Sequence, residues 1–249
     1  MTAKPLPAVK AAIVTGSSRG IGAATARRLA RDGYAVAVNC VVRTDLAGAV
    51  VNDIEAAGGR AIWVQADVSD PKAVRKLFAS CAEAFGGVDA VVANAGIQRL
   101  GRFTDMKDDD FDRLMAVNVK GGFNTLREAA RQVRDEGRIV ALASSVTQMG
   151  PPAYGPYAAS KAAQGMYISA LAKELEGRGI AVNAVAPGTT DTPLFTAGKT
   201  SELIAQWAAR TPHKRLGTPD DLADVISLLC QPNAAWINGQ VIYANGGLI

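Results

Sequence analysis

Tyr157 and Lys161 are the residues whose types and spacing most directly suggest chemistry. They lie four positions apart in the stretch YAASK, and Ser144 precedes the tyrosine by thirteen residues. On a helix, side chains at positions i and i+4 lie on one face, so the ammonium of Lys161 can reach the phenol of Tyr157. A nearby positive charge favours the phenolate, and we therefore expect the pKa of Tyr157 to be lowered.

A glycine-rich loop, TGSSRGIG at residues 15–22, is the second chemical feature. Gly16, Gly20 and Gly22 follow the apolar run AAIVT and lead into a helix that begins at Ile21. Backbone N–H groups and a helix amino end then point outward together, and such a terminus binds pyrophosphate. The spacing G-x-x-x-G-x-G differs from the common G-x-G-x-x-G pattern, but the strand before it and the helix after it predict a dinucleotide site.

The loop after the second predicted strand indicates which dinucleotide is bound. A chain that prefers NAD commonly has an acidic residue there to bind the ribose 2′-hydroxyl. Here the stretch VAVNCVVR offers Asn39, Cys40 and Arg43 but no carboxylate, and Arg19 lies in the glycine loop. Two arginines attract a 2′-phosphate, so the sequence predicts NADP(H). For Arg43, a solvated loop arginine is an equally good interpretation.

Apolar runs alternate with amphipathic stretches along the chain, which is the pattern of strands joined by helices. The predicted strands are AAIVT, YAVAVNC, AIWVQAD, DAVVANAG, RIVALAS, IAVNAVAP and QVIYAN, and the predicted helices span residues 20–32, 44–57, 71–85, 111–134 and 157–178. Strand-helix-strand units form right-handed crossovers and parallel sheets that are buried on both faces. We therefore predict an α/β fold with one doubly wound, seven-stranded parallel sheet and helices on both faces.

No break in composition divides the chain, so residues 1–249 are predicted to form a single Rossmann domain. Residues 188–219 are the least regular part, with Pro193, Pro212 and Pro219 around the short helical piece SELIAQWAAR. An insertion after the carboxyl end of a strand lies where ligands bind in such sheets, so we expect this segment to be a substrate lid. An ordinary surface excursion is the alternative.

Charge, cysteines and hydropathy argue against several kinds of partner. The formal net charge is +4, but the basic residues are scattered, so we expect no nucleic-acid binding. Cys40, Cys81 and Cys230 fit neither a disulfide nor a metal pattern, and His213 is the only histidine, so we expect no metal and buried, reduced thiols. No run reaches the roughly 20 apolar residues of a membrane span, and the first ten residues lack the apolar stretch of a signal peptide. We therefore expect a cytoplasmic protein without membrane contact.

Taken together, the motifs resemble those of the short-chain dehydrogenase/reductase family. They are TGSSRGIG at 15–22, Asp67-Val68, ANAG at 93–96, Asn118, the pair Ser144 and Ser145, YAASK, PGTTDT at 187–192 and the closing NGQVIYANGG. They cover nearly the whole chain, which is similar to the 3-oxoacyl-carrier-protein reductase and naphthol reductase branches. The resemblance implies an NADPH-dependent oxidoreductase that reduces a ketone, a 3-oxoacyl group or a related carbonyl to an alcohol.

The same resemblance implies a role for each catalytic residue. Tyr157 would donate a proton to the substrate carbonyl oxygen, Lys161 would lower its pKa and bind the nicotinamide ribose, and Asn118 would hold a water that connects Lys161 to solvent. A serine would hydrogen-bond the carbonyl. Counting from the strand and from Tyr157 favours Ser144, whereas the motif SVT favours Ser145. Successive strand residues face opposite sides, so we expect only one serine in the site.

The cofactor contacts are implied in the same way. Asp67 and Val68 would lie at the adenine and ANAG along the adenosine ribose, although ANAG departs from the commoner NNAG at Ala93. The residues expected to bind the cofactor are Gly16, Ser18, Arg19, Gly20, Ile21, Asn39, Arg43, Asp67, Val68, Asn94, Ala95, Gly96, Tyr157, Lys161, Pro187, Gly188, Thr190 and Thr192.

Three mostly apolar stretches are expected to form the walls of the substrate pocket. Their residues are Ile97, Gln98 and Leu100, then Met149, Pro151, Pro152 and Tyr154, and finally Leu194, Phe195 and Trp207. Such walls favour a ketone on a hydrophobic or aromatic body. Arg99 is a candidate for recruiting an anionic carrier.

The helices predicted at 111–134 and 157–178 carry small and apolar residues on more than one face. One face can pack on the sheet and another on a partner subunit, and the family resemblance implies a homotetramer. Two other functions stay open. One is an NAD-dependent alcohol dehydrogenase or an epimerase on the same scaffold, and the other is a sensor that binds the nucleotide without turnover, against which the intact Ser, Tyr, Lys and Asn argue.

Overall fold

Seven apolar runs form the seven strands of one parallel sheet. In the computed structural model, which describes residues 9–249, they are β1 (Ala11–Val14), β2 (Ala35–Cys40), β3 (Ala61–Gln65), β4 (Val88–Ala93), β5 (Val133–Leu142), β6 (Ala181–Pro187) and β7 (Val241–Ala244). Their order in the sheet is β3-β2-β1-β4-β5-β6-β7, and every neighbouring pair is parallel. The predicted seven-stranded, doubly wound α/β fold is thus confirmed. Residues 1–8 of the predicted 1–249 domain, with most of the amino-terminal stretch used to predict localisation, lie outside the described residues.

Ten α-helices occur in the described part of the chain. They are α1 (Gly20–Arg31), α2 (Thr44–Ala56), α3 (Pro71–Phe85), α4 (Asp108–Met115), α5 (Gly121–Gln132), α6 (Val146–Met149), α7 (Gly155–Glu174), α8 (Pro193–Thr196), α9 (Ser201–Arg210) and α10 (Pro219–Cys230). A π-helical segment, Ala116–Lys120, joins α4 to α5, and a 3₁₀ turn, Pro232–Ala234, follows α10.

Alternate strand residues supply two cores, one on each face of the sheet. Ala11 and Ile13 of β1 contact the core that α3, α5 and α7 cover, whereas Ala12 and Val14 belong to the core under α1, α2 and α10. Side chains of a strand point alternately to opposite faces, so a continuous apolar run is needed when both faces are buried. This explains why the strands read as unbroken runs of Ala, Val and Ile.

Helix α10 is not among the helices predicted from the sequence. The start of this helix has a capping box, because the Thr218 hydroxyl accepts from the Asp221 N–H and the Asp221 carboxylate accepts from the Thr218 N–H, and Pro219 takes the first helical position. These signals were visible in the sequence. The prolines place Pro219 at the end of an irregular segment, but the residues that follow it, DDLADVISLLC, have the spacing of a buried helix face.

The predicted helix 111–134 also needs correction. It begins earlier, at Asp108, ends earlier, at Gln132, and is interrupted by the π-helical segment. A single extra residue in a helical turn leaves little trace in hydrophobic periodicity, which is why the sequence did not reveal it. The next predicted helix, 157–178, lies at Gly155–Glu174.

The segment predicted as a lid, residues 188–219, leaves the sheet after β6 and contains α8 and α9. A short parallel bridge between Thr190 and Gly217 ties its two ends together. The two ends of this segment therefore lie side by side, and the residues between them form a long loop that contains the two helices. None of the helices between residues 9 and 249 is both long enough and apolar enough to cross a membrane.

Candidate active site

The main cleft lies at the carboxyl ends of β1, β4, β5 and β6. Strand order reverses between β1 and β4, and in open α/β sheets ligands bind at such a switch point. The cleft has two connected parts, which share Ile21, Asn94, Gly96, Thr192 and Leu194. We call them the glycine-loop part, beside residues 16–22, and the tyrosine part, beside Tyr157.

The glycine loop packs closely against the loop that follows β4. Gly16 has a φ of +62°, and a Cβ there would lie 2.8 Å from the Ala95 Cα. At Gly22, a Cβ would lie 2.6 Å from the Gly16 carbonyl oxygen. Side chains at these two positions would push the loops apart, so glycine is needed for close packing. The first turn of α1 contains no acidic residue and no side chain caps it, which leaves its N–H groups directed at the cleft.

Asn39 does not line the cleft, contrary to the sequence-based expectation. Its side chain is buried, accepts from the Gly16 N–H at 3.0 Å and donates to the carbonyls of Val64 and Ala66 at 3.2 and 3.0 Å. A buried amide with this many partners is held inside the fold. Asn39 therefore supports the glycine loop from below and is not placed to contact a ligand in the cleft.

Three arginines, Arg19, Arg43 and Arg113, and the Asp67 carboxylate line the glycine-loop part. Arg19 and Arg43 are exposed there, and the Arg43 guanidinium forms a two-point ion pair with Asp45 at 2.6 and 2.9 Å. That hydrogen-bonded pair lowers the pKa of Asp45 to about 2. The Arg43 guanidinium at the cleft is therefore already ion-paired with Asp45, which the sequence did not indicate.

Arg113 of α4 is a cleft residue that the sequence analysis missed. Its guanidinium lies 3.1 Å from the Asp67 carboxylate, which also accepts from the Ser69 N–H at 2.9 Å. Burial acts to raise the pKa of Asp67, but the hydrogen bonds from Ser69 and Arg113 lower it overall. No motif marks Arg113, and only the fold brings α4 to the end of β3.

The other expected cofactor residues line one of the two parts of the cleft. Those in the glycine-loop part are Gly16, Ser18, Arg19, Gly20, Ile21, Arg43, Asp67, Val68, Asn94, Ala95, Gly96 and Thr192. Those in the tyrosine part are Tyr157, Lys161, Pro187, Gly188 and Thr190, with Ile21, Asn94, Gly96 and Thr192 again. The structure thus brings the predicted set together, except for Asn39.

Tyr157 and Lys161 both point from the first two turns of α7 into the tyrosine part. Burial raises the pKa of Tyr157 to about 12, an effect that the Ser144 hydroxyl opposes and Tyr154 reinforces. Burial also lowers the pKa of Lys161 to about 8, and the Lys161 Nζ donates to the Leu142 carbonyl at 2.9 Å. In the chain without a cofactor, loss of water around each group thus dominates both pKa shifts, and the lowering of the tyrosine pKa expected from Lys161 stays a prediction for the complex.

The two serines have different surroundings. Both serines line the tyrosine part of the cleft, and the Ser144 hydroxyl hydrogen-bonds the Tyr157 phenol. The Ser145 side chain is buried, with its Oγ at 3.4 Å from the Ala186 carbonyl and 3.3 Å from the Asn245 Nδ2. The chain turns into α6 directly after β5, so consecutive residues separate. Of the two alternatives, this geometry favours Ser144.

Asn118 lies in the π-helical segment, buried behind the cleft rather than at its surface. Its side chain accepts from the Ile97 N–H at 2.8 Å and donates to the Ile97 carbonyl at 2.9 Å and to the Ser160 Oγ at 3.0 Å. One amide thus fastens the loop after β4 to α7. Gly96 fits closely between them, since a Cβ there would lie 3.3 Å from both the Asn118 Oδ1 and the Lys161 Nζ.

Aromatic side chains form the outer wall of the tyrosine part. Tyr154 meets Tyr157 edge to face, and Phe195 meets Trp207 in the same way, both with ring centroids 6.3 Å apart. Of the expected wall residues, Gln98, Tyr154, Leu194, Phe195 and Trp207 line this part, and Val146 and Leu248 join them unforeseen. Ile97 lines the glycine-loop part. Leu100, Met149, Pro151 and Pro152 line neither part, and Arg99 instead pairs with Asp110 at 3.1 Å.

No cluster of three or more potential metal-ligating side chains occurs within residues 9–249. His213 lies outside the main cleft, in a separate pocket with Arg215 and Asp221. The cysteines Cys40, Cys81 and Cys230 are free and buried, and burial raises the pKa of each thiol.

Comparison with known proteins gives consistent matches over nearly the whole chain. Residues 16–249 match the family model described as enoyl-(acyl carrier protein) reductase. The chain is 40% identical over 250 residues to versicolorin reductase stcU of Emericella nidulans, covering 96% of this chain and 95% of that protein. It is 38% identical over 241 residues to the 3-oxoacyl-(acyl-carrier-protein) reductase FabG of Staphylococcus aureus, covering 96% and 98%.

A solved structure agrees with these matches. The crystal structure of a short chain dehydrogenase from Burkholderia cenocepacia J2315 in complex with NADP has a TM-score of 0.91 and 43% sequence identity, covering 96% of this chain and 97% of that one.

Proposed function

The chain belongs to the short-chain dehydrogenase/reductase family of oxidoreductases, and from that premise we propose that it is an NADPH-dependent reductase that converts a ketone to an alcohol. The observation that carries the proposal is the meeting of Ser144, Tyr157 and Lys161 at the inner end of a cleft whose other end is a glycine loop. One cleft thus combines a dinucleotide cradle with a proton donor.

The residues present fit a dinucleotide. Gly16 and Gly22 allow the close approach of backbone that a pyrophosphate requires, and the uncapped amino end of α1 supplies N–H donors. Further along the cleft, the Thr189 Oγ1 is buried and has no hydrogen-bond partner among the described residues. A polar ligand group placed there would satisfy this hydroxyl. When bound, the reduced nicotinamide would supply the hydride that the carbonyl carbon accepts.

We assign NADPH over NADH on the charges at the far end of the cleft. Arg19 and Arg43 provide positive charge, and residues 39–42 carry no carboxylate against a 2′-phosphate. The nearby Asp45 carboxylate is ion-paired with Arg43. The structure in complex with NADP from B. cenocepacia supports this choice. Asp45 competes with a 2′-phosphate for the Arg43 guanidinium, whereas Arg19 is not engaged by Asp45.

In the proposed reaction, Tyr157 donates its proton to the substrate carbonyl oxygen. Its raised pKa, about 12, means that it carries this proton at neutral pH and can act as a donor in the direction of reduction. Ser144 donates a hydrogen bond to the same carbonyl oxygen as negative charge develops on it. The phenolate left behind is stabilised by the Lys161 ammonium and regains a proton from water in the cleft.

The wall of Tyr154, Phe195 and Trp207 indicates the substrate class. Edge-to-face aromatic pairs leave flat, apolar surfaces against which a planar ring system can pack. We therefore assign a ketone on an aromatic or otherwise hydrophobic body, with a 3-oxoacyl thioester as the alternative. The relative named versicolorin reductase supports the first and the relative named 3-oxoacyl-(acyl-carrier-protein) reductase the second.

Assembly and location belong to the same proposal. Residues 188–219 would close over the substrate, because Leu194, Phe195 and Trp207 of this segment line the cleft. Exposed Phe111, Phe123 and Met166 on α4, α5 and α7 would be covered in a homotetramer. A cytoplasmic location agrees with free, buried cysteines. Light scattering of the purified protein tests the tetramer.

The test of the proposed function is Tyr157→Phe with Tyr154→Phe as its matched control. Purified proteins are assayed for NADPH oxidation with a panel of aromatic ketones, diones and a 3-oxoacyl thioester, and an enoyl thioester serves as a substrate without a reducible ketone. We expect Tyr157→Phe to lose about a thousandfold in turnover. NADPH binding should persist in both variants, and Tyr154→Phe should retain turnover.

Each other outcome identifies a different function. If the wild type and Tyr157→Phe both bind NADPH and are equally inert with every carbonyl, the protein is a nucleotide sensor. If fluorescence titration shows tighter binding of NADH than of NADPH, the NAD-dependent alternative replaces the assignment based on Arg19 and Arg43. If only the enoyl thioester is reduced, the carbonyl assignment is wrong.

A further inference from the structure

The two helices of the segment 188–219 have no core of their own. None of the residues of α8 or α9 is buried. The Thr192 hydroxyl caps α8 and the Thr200 hydroxyl caps α9, and each cap fixes only its own helix. Among the residues that the structure describes, no hydrogen bond or ion pair joins α8 to α9. Side-chain packing must therefore determine how the two helices lie against each other.

Four side chains provide this packing. Phe195 of α8 meets Trp207 of α9 with ring centroids 6.3 Å apart and ring planes at 82°. The Lys199 Nζ lies 4.5 Å from the centroid of the Phe195 ring, and the Arg210 Cζ lies 4.4 Å from that of the Trp207 ring. We call Lys199, Phe195, Trp207 and Arg210 the cation–aromatic stack. Each ring in it has a cation beside its face.

The two cations are not neutralised by carboxylates. Neither Lys199 nor Arg210 forms an ion pair with any carboxylate within residues 9–249, whereas Arg215 of the same segment pairs with Asp221 at 2.5 Å. The Lys199 Nζ also donates to the Phe195 carbonyl, and burial lowers the pKa of Lys199. A cation that is partly withdrawn from water is attracted more strongly to a ring face. The two rings therefore attract charges that no carboxylate compensates.

The stack has an inner and an outer half. Phe195 and Trp207 line the tyrosine part of the cleft, but Lys199 and Arg210 do not. The two cations can therefore affect a bound substrate only through the rings that they hold.

We propose that Lys199 and Arg210 are positioning residues of the substrate wall, which hold the Phe195 and Trp207 rings in the arrangement that faces the cleft. A planar substrate would contact this wall equally before and during hydride transfer, so the stack contributes to KM and not to kcat. The inference rests on the proposed reductase function for this kinetic effect, whereas the effect on the rings is a property of the folded protein itself.

The first experiment compares variants that remove each charge, Lys199→Gln and Arg210→Gln, with variants that keep it, Lys199→Arg and Arg210→Lys. Lys214→Gln is the matched control, because the Lys214 Nζ lies in the same segment and donates to the Ala209 carbonyl instead of facing a ring. The substrate is a neutral polycyclic aromatic ketone at saturating NADPH, so that a lost charge cannot act on the substrate directly.

We expect each glutamine variant to raise KM for this ketone about threefold with kcat unchanged. The charge-keeping variants should lie nearer to the wild type, and Lys214→Gln should match it. A small aliphatic ketone, too short to reach the wall, should show the same KM in every variant.

A second readout needs no activity. Trp63 and Trp236 are exposed, so Trp63→Phe and Trp236→Phe make Trp207 the only tryptophan of the chain. Acrylamide quenching of its fluorescence then reports how well the ring is covered. In this background we expect Arg210→Gln to raise the quenching constant about twofold and Arg210→Lys to raise it less.

Unchanged quenching in Arg210→Gln would overturn the inference. Equal quenching in Arg210→Gln and Arg210→Lys, both above the wild type, would also overturn it, because side-chain shape and not charge would then hold the ring. Raised quenching with an unchanged KM for the aromatic ketone would overturn it as well, since the rings would not be the substrate wall.

The two readouts separate this inference from the proposed function. If quenching rises as expected but no carbonyl is reduced by the wild type, the proposed function fails and the positioning of the rings by the two cations stands. If carbonyls are reduced and neither quenching nor KM responds to the glutamine variants, the inference alone fails.

Discussion

Adjacent serines after β5 illustrate how one residue of displacement changes a side chain's role. Ser144 faces the Tyr157 phenol, whereas the Ser145 Oγ is enclosed beside the Ala186 carbonyl. The Ser144 hydroxyl can stabilise charge that develops on a substrate, whereas the Ser145 hydroxyl already bonds Ala186 and Asn245 and supports the fold. Separate substitutions should therefore affect separate measurements.

We expect Ser144→Ala to lower kcat for ketone reduction by about 100-fold, because it removes a donor from the developing oxyanion. Ser145→Ala should retain turnover and lose about 1 kcal/mol of unfolding free energy, since its hydrogen bonds are long. Steady-state kinetics and urea denaturation of both variants distinguish the two roles. The reverse pattern would transfer the catalytic role to Ser145.

The ion pair between Arg43 and Asp45 leads to a second prediction. Asp45→Asn frees the Arg43 guanidinium for a 2′-phosphate, so the Kd for NADPH should fall by about threefold while that for NADH stays constant. Fluorescence titration measures both. Asp53→Asn is the matched control, because Asp53 pairs with Arg27 away from the cleft. Weaker NADPH binding in Asp45→Asn would mean that Asp45 positions Arg43 productively.

At this scale, the sequence predicted which residues meet but not their electrostatic state. Helical spacing alone brings Lys161 to Tyr157, and the glycine pattern alone locates the loop. The pKa of each group depends on how much water surrounds it, which only the packed structure determines. Asn39 was misplaced for a related reason, because residue type does not reveal whether an amide faces a ligand or the backbone beneath it.

Helix α10 shows how an element far from the cleft can hold the domain together. It packs on α1 over the second core, and Arg28 of α1 pairs with Asp224 while the Tyr34 hydroxyl donates to the Cys230 carbonyl at 2.9 Å. Its amino end is fixed by the capping box at Thr218. Strand and helix periodicity located most of the elements, but an irregular stretch before α10 concealed it.

Loss of the cap should weaken this element measurably. We expect Thr218→Ala to lower the unfolding free energy by about 1 kcal/mol, because the Asp221 N–H loses its acceptor. Urea denaturation followed by circular dichroism provides the measurement. Thr104→Ala, which removes an exposed hydroxyl bonded only to Asp105, is the matched control. Equal effects in the two variants would show that the cap contributes nothing specific.

The π-helical segment is the element that sequence patterns could not predict. Asn118 and Gln164 stabilise it by contacts with residues more than twenty positions away in the chain, including Ile97 and Ser160. Such tertiary contacts override the local preference for a regular helix. The order of strands, by contrast, follows from crossover rules once the seven apolar runs are recognised.

For the whole molecule, a buried lysine makes stability depend on pH. The pKa of Lys161 is about 8 in the folded protein against an ordinary 10.5, so the unfolded chain binds more protons between these values. Stability contributed by this residue is lowest below pH 8 and rises as pH increases through the interval. Other buried groups act oppositely, since burial raises the pKa of Tyr157, Cys81 and Cys230.

A difference measurement separates the lysine from those groups. Lys161→Met should be more stable than the wild type at pH 7, and the gap should narrow by about 3 kcal/mol as the pH approaches 10. Urea denaturation at five or more pH values provides the free energies. Lys120→Met, on the π-helical segment but exposed, is the control and should show no such narrowing. A constant gap for Lys161→Met would mean that its ammonium is already well solvated.

The contact between α1 and α10 joins segments that are far apart in the sequence. Arg28 of α1 pairs with Asp224 of α10, and both helices cover the second core. During synthesis, the side of α1 that α10 covers therefore has no partner until residues 219–230 have been made. The packing of α1 on α10 therefore follows the synthesis of residues 219–230.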